Sequence, residues 1–576
     1  MIVKKLNAVE SLGSCTIIAS DKTGTLTVNQ QTAKSILFPS GENLEITGTG
    51  YNDQGEVVGA TDTLLGQAKQ IGFLGMLNNE ATLEKNGKQW KYYGDSIDIA
   101  FLSLGRKLEC TTEQVIILDR IPYESENQFS AVFYQEKEEV FCTVKGSVEQ
   151  VLAFSKTMGS EQSLLDEERI KKQNESLAAA GYRVLGIAKG KVNRASSYDR
   201  SMIQNWNFEG LVGFIDPIRK EAKQSIEETM VSGIQVVMIT GDHPLTAYTI
   251  ASELGLVTKQ SEVASGDEIE QELAKGQTSF DHFIKGKKVF SRVTPLEKLE
   301  IVNSYKRQGE FIAVTGDGVN DAPALKSANI GIAMGSGTDV AKETASMIIL
   351  DDNFQSIVAG IKEGRNAYSN IRKVSYMLLS CGFAEVLFFL LSILFDLPMP
   401  LVAVQLLWLN VVTDGLQDLA LSFEKAETGI MKEKPRSTKE SLFNRELIWE
   451  VGIAGLVIGL LVFGVWTYLI KVLQFDVAIA RGYIMALMVF IQNIHVLNCR
   501  SEKDSIVHIS FRSNPFILIS IASAIVLQVI VMEVPVLSQL LQTSSIPFVS
   551  LLYLFLLSFA ILLVMEIYKY FKRKNS

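Results

Sequence analysis

Beyond Tyr368 the chain carries six apolar stretches, at roughly 374–395, 400–422, 447–470, 478–498, 515–533 and 547–568. Each is near the ~20 residues that a helix needs to cross a bilayer. Buried core helices are the bland alternative. Six such runs in one third of the chain, joined by short loops, make membrane spans the better reading. This third is therefore expected to form a bundle of six transmembrane helices.

Lysine and arginine orient the bundle. Arg372 and Lys373 precede the first span. Lys425, Lys432, Lys434, Arg436, Lys439 and Arg445 follow the second, Arg500, Lys503 and Arg512 follow the fourth, and the chain ends YKYFKRKNS. The alternate loops, FDLPMP, KVLQFD and PVLSQLLQTSSIP, are nearly free of basic residues. The soluble part and the C-terminus are thus expected on the cytoplasmic side of a cell membrane, with lipid as a partner. The first fifteen residues contain Lys4 and Lys5 but no apolar core, so no signal peptide is expected there.

Polar residues inside spans are costly and mark function by default. Glu385 falls within the first span. In LLWLNVVTDGLQDLAL, Asn410, Thr413 and Asp414 stand at i, i+3 and i+4, on one helix face. Gln417 and Asp418 continue that face, and Gly415 would let the helix loosen; Gln492 and Asn493 lie in the fourth span. Hydrogen bonding between helices would explain single amides. Carboxylates with an amide and a hydroxyl at one depth suit a hard cation, which takes about six to eight oxygen ligands when it is Ca²⁺. These spans supply part of such a shell.

Residues 1 to about 364 read as a soluble α/β protein. The stretch TIIASDKTGTLT is a buried strand ending in a polar turn, and VVMITGDHPLTA, KKVFSRVTPLEK and FIAVTGDGVNDAPAL repeat that form. In parallel α/β sheets the chemistry sits at such strand ends. Alternating strands and helices over 211–365 predict a doubly wound sheet. A net charge of −9 argues against a nucleic-acid partner. The five scattered cysteines fit reduced thiols rather than a disulfide framework.

An aspartate at a strand tip can attack a phosphoryl group. The transfer needs a metal on the oxygens, a cation for developing charge, and donors that hold the group in line. Asp21 is the candidate nucleophile and Asp317 a second carboxylate for Mg²⁺. Lys298 offers the cation, and Thr240, Gly241 and Asn320 offer donors. Each alone is an everyday turn or cap residue; together, in this order, they form a site.

DKTGTLT, TGD and TGDGVND followed by APAL resemble the P-type cation-transporting ATPases, and the resemblance runs along the whole chain. Within that family, the calcium pumps have a membrane helix that LLWLNVVTDGL resembles. The resemblance implies a haloacid-dehalogenase-like phosphorylation domain over 1–30 and 211–365, an inserted α+β nucleotide-binding domain over 31–210, and a membrane domain over 366–576. It implies ATP and Mg²⁺ as cofactors, phosphorylation of Asp21, loop-shaping roles for Thr23 and Thr25, and active-site places for Lys22, Asp242 and Asp321. Asp21, Thr23 and Asp317 are implied to hold Mg²⁺. Asp216 and Arg219 of DPIR are implied to surround the same site.

In the insertion, Lys145 and Gly146 of KGS resemble the family's KGA, and Arg183 matches a phosphate-contacting arginine. Tyr123 stands where Phe usually stacks on adenine, Asp98 where Glu is usual, and Gln128 where Lys is usual. In the membrane, Glu385, Asn410, Thr413 and Asp414 match calcium-pump ligands, Gly382 replaces an asparagine ligand, and Gln492 stands where some pumps have Glu. One Ca²⁺ site rather than two is expected, with Na⁺ or another cation as the alternative. The family also carries four membrane helices and an actuator domain with a TGE loop before this point. The expectation is therefore a C-terminal pump part, incomplete alone, with an N-terminal pump half as a partner. A membrane-anchored haloacid-dehalogenase-type phosphatase and a non-catalytic membrane protein are the competing classes.

Overall fold

The strand-then-turn segments of the soluble part lie side by side. In the computed structural model, which describes all residues except Leu6, Lys88, Glu113, Gln114, Ser125, Thr438, Lys439 and Ser576, they form an eight-stranded sheet. Its order is Ile2–Val3, Met347–Ile349, Ile330–Met334, Ile312–Gly316, Ile17–Asp21, Gln235–Thr240, Val289–Ser291 and Val263–Ser265. Every pairing is parallel except that of Ile2–Val3. The central strands are largely apolar, IAVTG and IGIAM being buried at every position, as a sheet covered on both faces requires. Ile17–Asp21 lies between Ile312–Gly316 and Gln235–Thr240. The chain thus leaves the central strand in one direction and returns on its other side, which opens a crevice at the carboxyl ends.

The insertion builds a second, largely antiparallel sheet of ten strands, with Thr32–Leu37 paired to Trp206–Ile215, and that strand to Arg183–Val192, Glu139–Gly146, Phe129–Glu136 and Val115–Glu124 in turn. Period-two alternation sorts its side chains. Ile36, Val132 and Tyr134 join a core with the helices Asp62–Leu77 and Ser96–Lys107. Their neighbours Leu37, Ala131 and Phe133 join the opposite core, with Val148–Phe154 and Glu167–Ala179. The expected boundary at residue 210 falls inside Trp206–Ile215, whose residues 211–215 pair with Thr32–Leu37.

Two compact units divide the chain, one of Met1–Ala8 with Cys15–Val358, the other of Val9–Ser14 with Ala359–Ser576. Among the described residues, five helices are long and apolar enough to cross a membrane: Phe354–Leu394, Arg445–Val472, Val477–Cys499, Pro515–Glu533 and Phe548–Lys574. Six spans were the expectation from hydropathy; the stretch at 400–422 is not one of these five helices. It is helical as Ala403–Trp408 and Gly415–Ser422, but Leu409–Asp414 between them winds as a π turn. Such turns displace the hydrogen-bond ladder and recur at functional sites; this one contains Asn410, Thr413 and Asp414. The loosening precedes Gly415, which itself is helical. None of the five cysteines forms a disulfide among the described residues. Of the basic residues used to orient the bundle, Lys439 lies outside the described residues.

Candidate functional site

Asp21 ends the strand Ile17–Asp21, and three features hold its carboxylate in place. Its backbone N–H donates to Thr315 Oγ1 on the neighbouring strand at 2.9 Å. The Thr23 N–H donates to Asp21 Oδ1 at 3.2 Å. Lys298 Nζ donates to Asp21 Oδ2 at 3.1 Å and to Asp321 Oδ1 at 2.7 Å. The Asp21 side chain is 22% exposed and the Lys298 side chain 6%, so the carboxylate is reachable while the cation stands behind it.

The turn after Asp21 needs its glycine. Gly24 sits at φ +74°, a left-handed conformation that a side chain disfavours. Its carbonyl accepts from Arg219 Nη2 at 3.1 Å, and the Thr27 carbonyl accepts from Arg219 Nε at 3.1 Å. Asp216 is buried; it accepts from Thr27 Oγ1 and, at 3.1 Å, from the Gln30 N–H. Asp216 and Arg219 thus brace the loop where the two halves of this domain meet.

Asp317 and Asp321 follow the adjacent strand. Asp321 Oδ2 accepts from the N–H groups of Asp317 and Gly318, both at 3.0 Å, leaving the Asp317 side chain outside that pairing. Burial and the neighbouring charges of Asp21 and Asp321 push the Asp317 carboxyl above the usual carboxylate range. Burial disfavours charge on Lys298, yet Asp21 and Asp321 hold its ammonium above the ordinary lysine range. Burial likewise opposes charge on Asp321, but Lys298 and the two N–H groups keep it below its ordinary value. Two carboxylates, Asp21 and Asp321, thus contact one buried ammonium, and Asp317 stands near enough to feel both of their charges.

On the other side, Thr240 is buried, and its Oγ1 accepts from the Asp242 N–H at 3.1 Å. Lys22, also buried, pairs with Asp242 Oδ2 at 2.9 Å. Gly241 and Asn320 are exposed in the turns after their strands. Lys22–Asp242 and the Thr315 support of Asp21 join residues far apart in sequence, so spacing could not have revealed them.

In the ten-stranded sheet, a cavity of about 680 Å³ is walled by Asp98, Tyr123, Lys145, Gly146 and Arg183, all five expected from sequence. Lys145 is buried and pairs with Asp98 Oδ1 at 2.5 Å. Burial nonetheless lowers its ammonium below the ordinary lysine range, against the pull of Asp98. Tyr123 is 56% exposed, its ring open at the cavity rim. Gly146 admits no side chain, since a Cβ would lie 2.4 Å from the Gln128 carbonyl oxygen. Asn79 and Arg120 were missed: Arg120 Nη1 donates to the Asn79 carbonyl, and Asn79 Nδ2 to the Asp98 carbonyl at 2.7 Å. The Asn78-Asn79 pair ending the helix Asp62–Leu77 was the available signal. Arg183 also lines a smaller cleft of about 290 Å³ with Lys22, Asp242 and His243.

In the membrane unit, Glu385, Thr413 and Asp414 are buried while Asn410 is exposed. Asn410 Nδ2 donates to Glu385 Oε2 at 3.4 Å and to the Leu406 carbonyl at 3.0 Å. Both Asp414 oxygens and Glu385 Oε1 are buried without a hydrogen-bond partner. Among the described residues no group of three or more His, Cys, Asp or Glu side chains is placed to hold a metal ion. What is present is a set of unpaired oxygens on two helices, with amide and hydroxyl groups between them.

Comparison with known proteins places these parts. A family model described as "P-type ATPase, cytoplasmic domain N" matches residues 67–221, one for "haloacid dehalogenase-like hydrolase" matches 296–361, and "Cation transporting ATPase, C-terminus" matches 398–571. A protein of Bacillus subtilis named "Calcium-transporting ATPase" is 35% identical over 95% of this chain. The human "Calcium-transporting ATPase type 2C member 1" is 35% identical over 100% of it. A "Cation-transporting ATPase pma1" of Synechocystis is 35% identical over 94%. The chain spans 62% of the length of each of these relatives.

Proposed function

Because this chain belongs to the P-type cation-transporting ATPases, we propose that it accepts the terminal phosphoryl group of ATP on Asp21 and uses the aspartyl phosphate to drive Ca²⁺ across a membrane. The observation that carries the reading is the placement of Asp21: an accessible carboxylate at a strand tip, held by Thr315 and Thr23 and backed by one buried ammonium.

In this reading ATP lies in the cavity of Tyr123, Lys145 and Arg183, the ring against the base and the cations toward the phosphates. Arg183 borders both that cavity and the cleft at Lys22, which supports a phosphate chain directed at the loop. Asp21 Oδ attacks the terminal phosphorus, and ADP leaves with the bridging oxygen. Thr240, the Gly241 N–H and Asn320 hold the transferring oxygens, and Lys298 offsets their charge. Asp21, Thr23 and Asp317 are the residues that would hold Mg²⁺, whose chemistry is to neutralise the transferring group. Asp216 and Arg219 act through the loop backbone rather than on nucleotide.

Glu385, Asn410, Thr413 and Asp414 are the proposed cation ligands. They form part of an oxygen shell, and since the relatives extend beyond the matched length, an N-terminal pump half is the proposed partner that completes it and hydrolyses the aspartyl phosphate. The distribution of lysine and arginine supports a cell-membrane protein with its soluble unit and C-terminus in the cytoplasm.

The test is phosphorylation of the full chain in lipid nanodiscs with radiolabelled ATP and Mg²⁺. An acid-stable, hydroxylamine-sensitive label that depends on Ca²⁺ is expected. A label dependent on Na⁺ and indifferent to Ca²⁺ would move the reading to a monovalent cation, and no label at all would remove it.

A further inference from the structure

A buried cluster of two sulfurs and an imidazole takes no part in the proposed reaction. Cys499 is the last residue of the helix Val477–Cys499, and His495 stands one turn before it on the same face. Met377 lies on the helix Phe354–Leu394. All three side chains are fully buried. The Cys499 thiol donates to Met377 Sδ at 3.8 Å, and the same sulfur lies 3.6 Å from His495 Nε2. Tyr376 packs edge-to-face on the His495 ring, the centroids 5.2 Å apart.

Sulfur packing alone would account for Met377 beside Cys499. It does not account for the imidazole. Ser380 Oγ lies 2.7 Å from the Tyr376 carbonyl oxygen and 3.0 Å from that of Met377, and its one proton goes to them. His495 Nε2 therefore carries the proton of the 2.8 Å bond to Ser380 Oγ. Nδ1 is then a bare lone pair, buried and without a hydrogen-bond partner among the described residues, which is costly in an apolar bundle.

The separations fit a metal ion. An ion bonded to nitrogen at about 2.0 Å and to sulfur at about 2.3 Å, at angles of about 110–120°, holds its ligands about 3.5–4.0 Å apart. Both separations fall in that range and share Cys499 Sγ, and the flexible Met377 side chain adjusts the third. Thiolate and thioether select soft ions such as Cu(I). One bound thiolate also cancels one positive charge, so a monovalent ion leaves a neutral complex where a divalent one would leave a buried charge.

We propose that Met377 Sδ, His495 Nε2 and Cys499 Sγ bind one soft monovalent metal ion of the Cu(I) class. On binding, the Cys499 S–H bond breaks and its proton leaves to water. The imidazole proton passes from Nε2 to Nδ1, where it displaces no partner, and Nε2, Sγ and Sδ each give an electron pair to the ion, whose oxidation state is unchanged. The ion ties the helices Phe354–Leu394 and Val477–Cys499 together. Glu385 lies about two turns beyond Met377, so the site is separate from the proposed Ca²⁺ ligands and does not depend on the transport reading.

The experiment is anaerobic titration of the full chain in nanodiscs with Cu(I) against the chromophoric chelator bicinchoninate, followed by copper-edge X-ray absorption of the complex. The wild type should take up one Cu(I) with one nitrogen and two sulfur donors. Cys499→Ser should lose it. Met377→Leu should weaken it about tenfold or more, no less than the loss of an outer-sphere partner costs, and one sulfur should leave the spectrum. Melting curves without copper establish that the variants are folded. No Cu(I) taken from the chelator, a wild-type spectrum without nitrogen or with a single sulfur, or binding that persists in Cys499→Ser would each overturn the site. The wild-type spectrum needs no variant, so the proposal stays refutable even where a substitution unfolds the chain.

Discussion

Lys298 and Asp21, 277 residues apart in the chain, meet at 3.1 Å, and the same ammonium reaches Asp321 at 2.7 Å. One buried cation therefore ties the proposed nucleophile to the turn that carries Asp317. Removing it leaves Asp321 facing Asp21 with no charge between them. Lys298→Met should slow phosphoenzyme formation by about 10²-fold and destabilise the soluble unit by roughly 3 kcal/mol, the cost of breaking a buried pair. Rapid-quench labelling and thermal unfolding measure the two effects. A fully active, fully stable variant would show that Lys298 is only a neighbour.

Asp21→Asn keeps the shape of the side chain and can still accept from the Thr23 N–H, but an amide oxygen is no longer an attacking carboxylate. The labelled phosphoenzyme should vanish while nucleotide binding persists. Label that survives in this variant would place the nucleophile elsewhere.

Asp317 carries a pH signature. Burial, with the charges of Asp21 and Asp321, raises its carboxyl above the usual range, so protons compete there with Mg²⁺ at milder acidity than at an ordinary aspartate. Half-saturating Mg²⁺ for phosphorylation should rise as pH falls from 7.5 toward 5.5. For stability the sign is opposite. A carboxyl whose folded pKa is raised favours the folded state while protonated, and that advantage is lost as pH rises through the folded pKa. Asp317→Asn, neutral at every pH, should therefore raise the melting temperature at pH 7.5 more than at pH 5 and abolish Mg²⁺-dependent labelling. An equal change at both pH values would deny the linkage.

At the nucleotide cavity, Lys145→Ala should weaken ATP binding about tenfold by removing a buried phosphate-directed charge, and Tyr123→Ala should weaken it less, through lost stacking. Gly146→Ala acts by shape: its Cβ would lie 2.4 Å from the Gln128 oxygen and 2.7 Å from Phe129 Cβ. Overpacking of that kind costs about 1–3 kcal/mol, so binding and melting temperature should fall together. Titration of the full chain with ATP, beside a melting curve, separates the three. Binding indifferent to all of them would move the site.

Much of this was legible in the chain itself. Apolar runs of bilayer length and the lysine and arginine beside them determined a membrane bundle, because dehydrated backbone and charge leave few alternatives. Four strand-and-turn segments determined a parallel α/β sheet with carboxylates at its strand ends, since apolar runs closed by polar turns pair that way. Where long-range pairing decides, sequence was silent. It could not say that the strand through residue 210 continues to Ile215 against Thr32–Leu37, that Thr315 supports Asp21, that Lys22 pairs with Asp242, or that Gln417 leans on Asn493. Hydropathy averaged over 400–422 also hid the π turn, because the mean records how apolar a span is and not where its hydrogen-bond ladder slips. Periodicity and motif report local chemistry, whereas the partners of a buried charge come from whichever strands and helices packing brings beside it.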